Sequence, residues 1–564
     1  MKRASRFILL VVIILSALLV ILDQNTGQAQ EITSELWILG SVADAQRQPV
    51  KNVVVRLLDE ETAKVISATE TQSDGRFALP IPGSFPENIA VELDRNHFEK
   101  VTYPLSESQL LTLHQSDSLA LPEITLDREI TTAFWISAGV FILVLILIAT
   151  GFLHNTLAAF SGVSLLLAVS YLGGSISENL VIFNFDRALT YIDWNVIFLI
   201  MGMMMVIAVV ERTGVFHWLA YFAYRISGGR MWILLPVLML ITGIASAFLD
   251  NVTTMLLMTP ISVQIALALN ISPIALLIPE VLASNVIGVS TLIGTPTNIL
   301  IGSFADITFN DFLLNLTPGV LLAFIGLTVY SWLTYRKDLK EAKTGSQLLL
   351  EKLEERGKIT KPQNLKKAGW IGGLMLILFV FGESIHLLPA VTALIGAAAL
   401  LVWIRPDIEE MISAVDWTTL VFFMSLFMVV GAIQEVGLVS YIASLIGQVI
   451  GQNLMLGMVL IIWMSAILSM VIANIPFTAA MLPVIGYLSQ VIPGADNKVL
   501  FYCLSIGAAM GGNGSLIGAS ANMITAGIAD RAGYKITYKY FLKKGLPAVV
   551  ITISLAMIWL FIRF

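Results

Sequence analysis

Two carboxylic acids, Asp250 and Glu280, stand inside long apolar stretches of this chain. An ionisable side chain at membrane depth is costly and usually kept for function. Around them lie four interruptions by small, amide and hydroxyl residues: Asp250-Asn251-Val252-Thr253-Thr254, Gly294-Thr295-Pro296-Thr297-Asn298, Asn474-Ile475-Pro476-Phe477-Thr478, and a run from Gly511 to Ser515 continued by Gly518-Ala519-Ser520-Ala521-Asn522. In hydrocarbon a helix break is tolerated only where protein or a hydrated cavity satisfies the freed backbone groups. Each break ends one half-helix and starts another. The starts carry N-cap chemistry, with Asn251 or Asn474 at two tips and Thr295 before Pro296 at a third. Half-helix N-termini that converge offer N–H donors and partial positive charge to an anion, and the opposing carbonyl ends suit Na+.

The two acids have different partners in view. Asp250 has no twin, because Ala473 occupies its repeat-related position, so it is expected to bind a coupling cation or proton. Glu280 is expected either to do the same or to partner a freed backbone amide. Glu211, Glu383 and Glu435 fall near span ends, where snorkelling to water accounts for them.

The elements that must hold these residues are membrane spans. Of 564 residues, 57% are hydrophobic and 13% charged, against about a quarter charged in soluble domains, so a single soluble domain is excluded. A net charge of -6 gives no basic footprint for nucleic acid. One cysteine, Cys503, and five scattered histidines offer no structural zinc spacing. No GxxxxGK followed by Ser or Thr occurs, so ATP-driven pumping by this chain is unsupported, and no resident cofactor is expected. A span needs about 20 mostly apolar residues, which marks 132–152, 156–173, 194–213, 272–306, 312–335, 370–386, 388–404, 417–434, 499–530 and 546–563, with two interrupted apolar pairs at 231–270 and 455–492.

An offset of 223 aligns the chain with itself: Asp193-Trp194 with Asp416-Trp417, Gly214 with Gly437, Gly228 with Gly451, Ser246 with Ser469, Asn251 with Asn474 and Pro260 with Pro483. One inserted residue later, Thr291 to Asn298 falls on Ser515 to Asn522. Five spans and one re-entrant hairpin per repeat make the second copy enter the bilayer upside down, the plan of secondary transporters. The fold class expected is an all-α polytopic membrane protein of two inverted-topology repeats, with a small extracytoplasmic β-sandwich at its N-terminus. Starting outside after residue 127 puts nineteen basic residues in the cytoplasm and four (Arg128, Arg187, Lys498, Arg563) outside, as the positive-inside rule requires.

Five segments follow. Residues 1–30, with Lys2, Arg3 and Arg6 before the apolar run from Phe7 to Leu22, read as a signal peptide or membrane anchor. Residues 31–127 are polar with short alternating runs, a β-sandwich in which Asp74-Gly75 is expected to turn a hairpin. Residues 128–335 form transporter repeat 1, 336–368 a charged cytoplasmic linker, and 369–564 repeat 2.

Segment 31–127, through Gly40 to Asp44, Pro49 to Leu57 and Thr71 to Phe77, resembles the carboxypeptidase regulatory-like, transthyretin-type domain, which implies a binding or stabilising module. From about residue 135, Leu249 to Pro260, Glu280 to Asn285 and Thr291 to Asn298 resemble the ion transporter superfamily. The likeness is to its citrate-transporter-like branch, with divalent anion:sodium symporters, arsenite pumps, the P-protein and NhaD-type antiporters. That resemblance implies a substrate and ion site at Asp250, Asn251, Thr253, Thr254, Asn285, Thr291, Gly294, Thr295, Pro296, Asn298, Asn474, Pro476, Thr478, Ser515, Gly518, Ser520 and Asn522. Na+ is expected at Asn251, Gly294, Asn298, Asn474 and Asn522. Pro476 replaces a hydroxyl residue of the symporters, and Asp250 stands where they carry Ser. Membership further implies a homodimer in a lipid bilayer. Three functions remain: Na+- or H+-coupled transport of a small anion (a dicarboxylate, citrate or an inorganic oxyanion); Na+/H+ antiport or arsenite-type efflux on the same scaffold; and a membrane-anchored ligand sensor. An intramembrane hydrolase is disfavoured, because no His lies at the depth of the breaks to serve a serine as base.

Overall fold

A computed structural model describes residues 36–44, 49–82, 85–86, 88–116, 118–228, 230–341 and 358–564. The expected signal peptide or anchor at 1–30 lies outside these residues. The chain divides into two compact units, Met1–Ile130 and Thr131–Phe564.

In the first unit, alternating apolar residues pair into two four-stranded sheets. One is built on β1 (Leu36–Asp44), flanked by β4 (Arg76–Ile81) and by β7 (Ser118–Ala120) and β8 (Ile124–Leu126) in parallel. The other runs β3 (Val65–Glu70), β2 (Val54–Asp59), β5 (Ile89–Asp94), β6 (Val101–Pro104), all antiparallel. Ile38, Val42 and Leu79 from one sheet share a buried core with Val55, Leu57 and Leu93 from the other, so the unit is a β-sandwich. Asp74-Gly75 forms the expected turn, with Gly75 at φ 75° and the Gln72 N–H donating across it to Arg76 O at 2.8 Å, but the strands on either side do not go on to pair with each other. β3 pairs with β2 and β4 with β1, so the turn carries the chain from one sheet to the other.

The second unit is helical, and its two halves repeat helix for helix. The first half runs α2 (Thr132–Thr150), α3 (Asn155–Ala168), α4 (Phe185–Thr190), α5 (Trp194–Glu211), α6 (Val215–Ser227), α7 (Met231–Phe248), α8 (Asn251–Ala268), α9 (Ile274–Gly288), α10 (Pro296–Ala305) and α11 (Phe309–Glu341). The second runs α12 (Pro362–Phe381), α13 (Pro389–Ile404), α14 (Ile408–Ser413), α15 (Trp417–Glu435), α16 (Leu438–Ile450), α17 (Leu454–Val471), α18 (Asn474–Val491), α19 (Val499–Gly511), α20 (Ser520–Arg531) and α21 (Tyr538–Arg563). A short helix α1 (Glu107–Gln115) belongs to the sandwich. Among the described residues ten helices are long and apolar enough to cross a membrane. α7/α8 and α17/α18 are the two hairpins, while α9/α10 and α19/α20 are spans broken in the middle. α12 and α21 each begin eight residues before the expected start of an apolar span.

The residues shared by the repeats are those that end helices. Asp193 and Asp416 cap α5 and α15, their carboxylates accepting from free backbone N–H groups of the first turn. Gly214 (φ 80°) and Gly437 (φ 85°) open the amphipathic helices α6 and α16 in a left-handed conformation open to glycine, and Gly228 and Gly451 close them at positive φ. These two helices escape a search for apolar spans.

Two ion pairs join the halves. Arg187 on α4 donates Nε to Glu435 at 2.5 Å, and the Tyr191 hydroxyl donates to the same carboxylate at 2.7 Å. Arg212, after α5, pairs with Glu410 on α14. Positions 187 and 410, like 212 and 435, are related by the offset of 223, so the two bridges are repeat-related with the charges exchanged. Glu435 is therefore buried and paired rather than snorkelling, whereas Glu211 and Glu383 are exposed as expected. Removing Arg187 leaves the buried Glu435 without its counter-charge, a loss below the about 3–5 kcal/mol of a fully buried pair because Arg187 is part-buried, whereas an exposed pair is worth about 0–1 kcal/mol. Arg187→Ala is thus expected to lower the thermal unfolding midpoint of the purified protein clearly, and Arg212→Ala to leave it nearly unchanged.

Candidate ion-binding site

The first hairpin turns at Leu249 and Asp250. Asp250, not Asn251, is the N-cap of α8: its Oδ1 accepts from the Thr253 backbone N–H at 2.9 Å and its Oδ2 from the Thr253 hydroxyl at 2.6 Å. Its repeat partner Ala473 holds the N-cap position of α18 and has no side chain to cap with. The expected caps Asn251 and Asn474 are each moved one position into their helix, because an extended residue must precede the first helical turn. Both oxygens of Asp250 are thus engaged locally.

That shift frees Asn251 to face the core of the protein. Its Oδ1 accepts from Ser246 Oγ at 2.5 Å, and its Nδ2 donates to Asn285 Oδ1 at 2.8 Å. Asn285 Nδ2 in turn donates to Asn513 Oδ1 at 2.8 Å and Asn522 Oδ1 at 3.1 Å, across 228 and 237 residues of chain. Ser284 Oγ is 2.9 Å from Ser246 Oγ and completes the chain. All are buried, so a line of amides runs from the first tip through one broken span to the other.

The two breaks are braced alike. Asn298 Nδ2 donates to the Val289 and Thr291 carbonyls at 2.9 and 2.8 Å, and Asn522 Nδ2 to those of Gly512 and Ser515, both at 2.9 Å. The Thr291 hydroxyl donates to Ala247 O and accepts from Gly294 N, and Ser515 does the same with Met470 O and Gly518 N. Thr291 and Ser515 therefore tie each break to its own hairpin. Close approach requires glycine here: a Cβ on Gly288 would sit 2.7 Å from Asn251 Oδ1 and 3.0 Å from Gly294 O, and one on Gly512 would sit 2.8 Å from Gly518 O.

Other expected residues are placed less directly. Thr295 precedes α10 with Pro296 at its first position, but its hydroxyl meets that of Thr297 at 2.9 Å and caps nothing. Thr478 Oγ1 bonds back to Asn474 O, and Pro476 lies in the first turn of α18. The Asn474 side-chain amide, 6% exposed, hydrogen-bonds to nothing among the described residues. Ser520 opens α20 and is half-buried. Glu280 lies apart, fully buried on α9 between the hairpin helices, its Oε2 accepting from Ser262 at 2.8 Å and from Thr242 at 3.4 Å. Ser505, which donates to Asn298 Oδ1 at 2.6 Å, was not singled out by sequence, nor were Ser246 and Asn513 as members of a site. The repeat match of Ser246 with Ser469 and the glycine-rich setting of Asn513 were their signals. No group of three or more His, Cys, Asp or Glu able to hold a metal occurs among the described residues.

Inverted repeats that each carry a hairpin and a broken span, with amide and hydroxyl side chains bracing the breaks, define a secondary transporter. A family model described as citrate transporter matches residues 143–500, and the chain belongs to that family. An uncharacterized transporter of Mycobacterium tuberculosis H37Rv is 36% identical over 430 residues, which covers 76% of this chain and 98% of that protein. The P protein of Homo sapiens is 31% identical over 516 residues, covering 78% of this chain and 60% of its own length. The solved YdaH transporter of Alcanivorax borkumensis aligns with a TM-score of 0.49 at 15% identity, over 73% of this chain and 98% of that one. The family and the mycobacterial relative are transporters and not enzymes.

A buried amide left without its partner costs about 1–3 kcal/mol. Asn285→Ala strands Asn251, Asn513 and Asn522 and is expected to lower the melting midpoint of the purified protein. Asn474→Ala, which strands no partner, is expected to melt like the wild type.

Proposed function

We propose that the chain moves a small anion, a dicarboxylate, citrate or inorganic oxyanion, by alternating access, coupled to Na+ or H+. The observation that carries this reading is the Asn251–Asn285–Asn513/Asn522 amide chain, which ties the starts of α8 and α20 to the ends of α9 and α19 around one buried region. Helix N-termini there favour negative charge. Backbone carbonyls with the hydroxyls of Thr295 and Thr297 are neutral oxygens of the kind that binds Na+ as a transported ion. Asn474, buried with an uncommitted amide, is assigned to direct contact with the cargo, and Asn298 and Asn522 to shaping the breaks. The absence of Lys or Arg from the breaks keeps a second reading alive, Na+/H+ antiport or arsenite-type efflux on the same scaffold.

In this reading the basic residues of the 212–230, 336–367 and 531–544 segments face the cytoplasm, and the β-sandwich lies outside. The sandwich is an accessory binding or stabilising module of carboxypeptidase regulatory-like type. A membrane-anchored ligand sensor would instead depend on it.

Proteoliposomes screened with Na+, citrate, succinate, sulfate and arsenite over a pH series separate symport from antiport. Asn251→Ala and Asn474→Ala are both expected to reduce flux by an order of magnitude or more at normal expression, since about 1.4 kcal/mol of lost binding is already tenfold. Near-normal flux in both would refute the site, and flux that survives deletion of residues 31–127 would make the sandwich accessory.

A further inference from the structure

We propose that Glu280 is a proton-carrying site, set behind the first hairpin and separate from the amide chain, and that it makes H+ the coupling ion; this rests on the transport reading above. Glu280 is fully buried, and only one of its two oxygens is engaged: Oε2 accepts from Ser262 and Thr242, while Oε1 has no hydrogen-bond partner among the described residues. Both partners are neutral hydroxyls from the two helices of one hairpin, Thr242 on α7 and Ser262 on α8.

No counter-charge is at hand. α7, α8 and the rest of α9 contain no charged residue. Among the other elements packed on α9, α11 carries its charges at its ends, at Asp311 and from Arg336 onward. α20 has Asp530 and Arg531 at its last turn, α21 has Lys539, Lys543, Lys544 and Arg563 near its ends, and α19 contributes Tyr502 and Cys503. None of these ion-pairs or hydrogen-bonds with Glu280 among the described residues. A carboxylate sealed from water without a counter-charge is neutralised by a proton. Two hydroxyl donors on the other oxygen stabilise the ionised form when it appears, which suits a group that both takes and gives up H+.

The surroundings are built for that exchange and, apart from Thr242, whose repeat-related residue is Ser465, belong to one repeat alone. On α8, Thr254 and Thr259 place two more buried hydroxyls, without a hydrogen-bond partner among the described residues, between Asn251 and Ser262. In repeat 2 the positions of Glu280, Ser262, Thr259 and Thr254 are Leu504, Ile485, Leu482 and Phe477. A purely structural polar cluster would be expected in both hairpins, since both fold alike. The acid and its hydroxyl row serve instead to bias one hairpin by protonation.

The test uses the full chain in lipid nanodiscs and in proteoliposomes. Infrared difference spectra across a pH step read carboxylic C=O stretching directly and need no substrate: the wild type is expected to lose such a band as pH rises, Glu280→Gln to lack it, and Ser262→Ala to displace its midpoint. In proteoliposomes with citrate or Na+ gradients as probes, Glu280→Gln is expected to keep exchange and lose its pH dependence and accompanying proton movement. An unchanged band in Glu280→Gln, or an unchanged pH profile, overturns the proposal. Should Glu280→Gln fail to fold, a band midpoint unmoved in Ser262→Ala overturns it. A wild type that moves neither probe but shows the band contradicts the transport reading and leaves Glu280 as a proton site.

Discussion

Everything in the membrane unit follows from one constraint: a helix broken inside hydrocarbon must find partners within the protein for the backbone groups it frees. Asn298 and Asn522 answer it directly, each side-chain amide bonding to two carbonyls of its own break. Thr291 and Ser515 extend the same solution to the neighbouring hairpin, and the glycines at 288, 294, 512 and 518 let the strands of backbone come close enough. With those groups satisfied, polar backbone can persist at depth, and only then is there a place for an ion. Loss of a brace leaves carbonyls stranded, so site and fold are inseparable here.

The two repeats meet this constraint identically but are not copies. The bridge between them uses Asn285, whose twin position is Ala509, and Asn513, whose twin is Val289. The ion pairs that tie the halves exchange their charges, and Arg187–Glu435 is part-buried while Arg212–Glu410 is exposed. Asp250 and Glu280 are confined to the first repeat. The two hairpins therefore share one fold while burying different groups.

The plan was legible in the sequence because inverted repeats leave their marks on end-forming residues. Gly214 with Gly437, Asp193 with Asp416 and Asn298 with Asn522 hold fixed caps and braces, while the aliphatics between them drift. Both hairpins and both broken spans were therefore placed by pattern alone. Contacts made across more than two hundred residues were not legible: nothing local distinguishes Ser505 from any other helical serine, and Glu435 looked like a span-end acid until Arg187 and Tyr191 were found against it. The identity of the N-cap turned on a one-residue shift, between Asp250 and Asn251, that propensity does not resolve. In the sandwich, Asp74-Gly75 has hairpin composition, yet the partner of β4 is chosen by the distant strand β1.

The proposed site lies buried between two oppositely oriented hairpins. Replacing the single native cysteine, Cys503, and introducing cysteine at the exposed residues Asn270 or Pro493, at the open ends of the two hairpins, allows labelling with a membrane-impermeant maleimide in right-side-out and inverted vesicles. Residue 270 is expected to react from one face only and residue 493 only from the other. Labelling of both from the same face would contradict it.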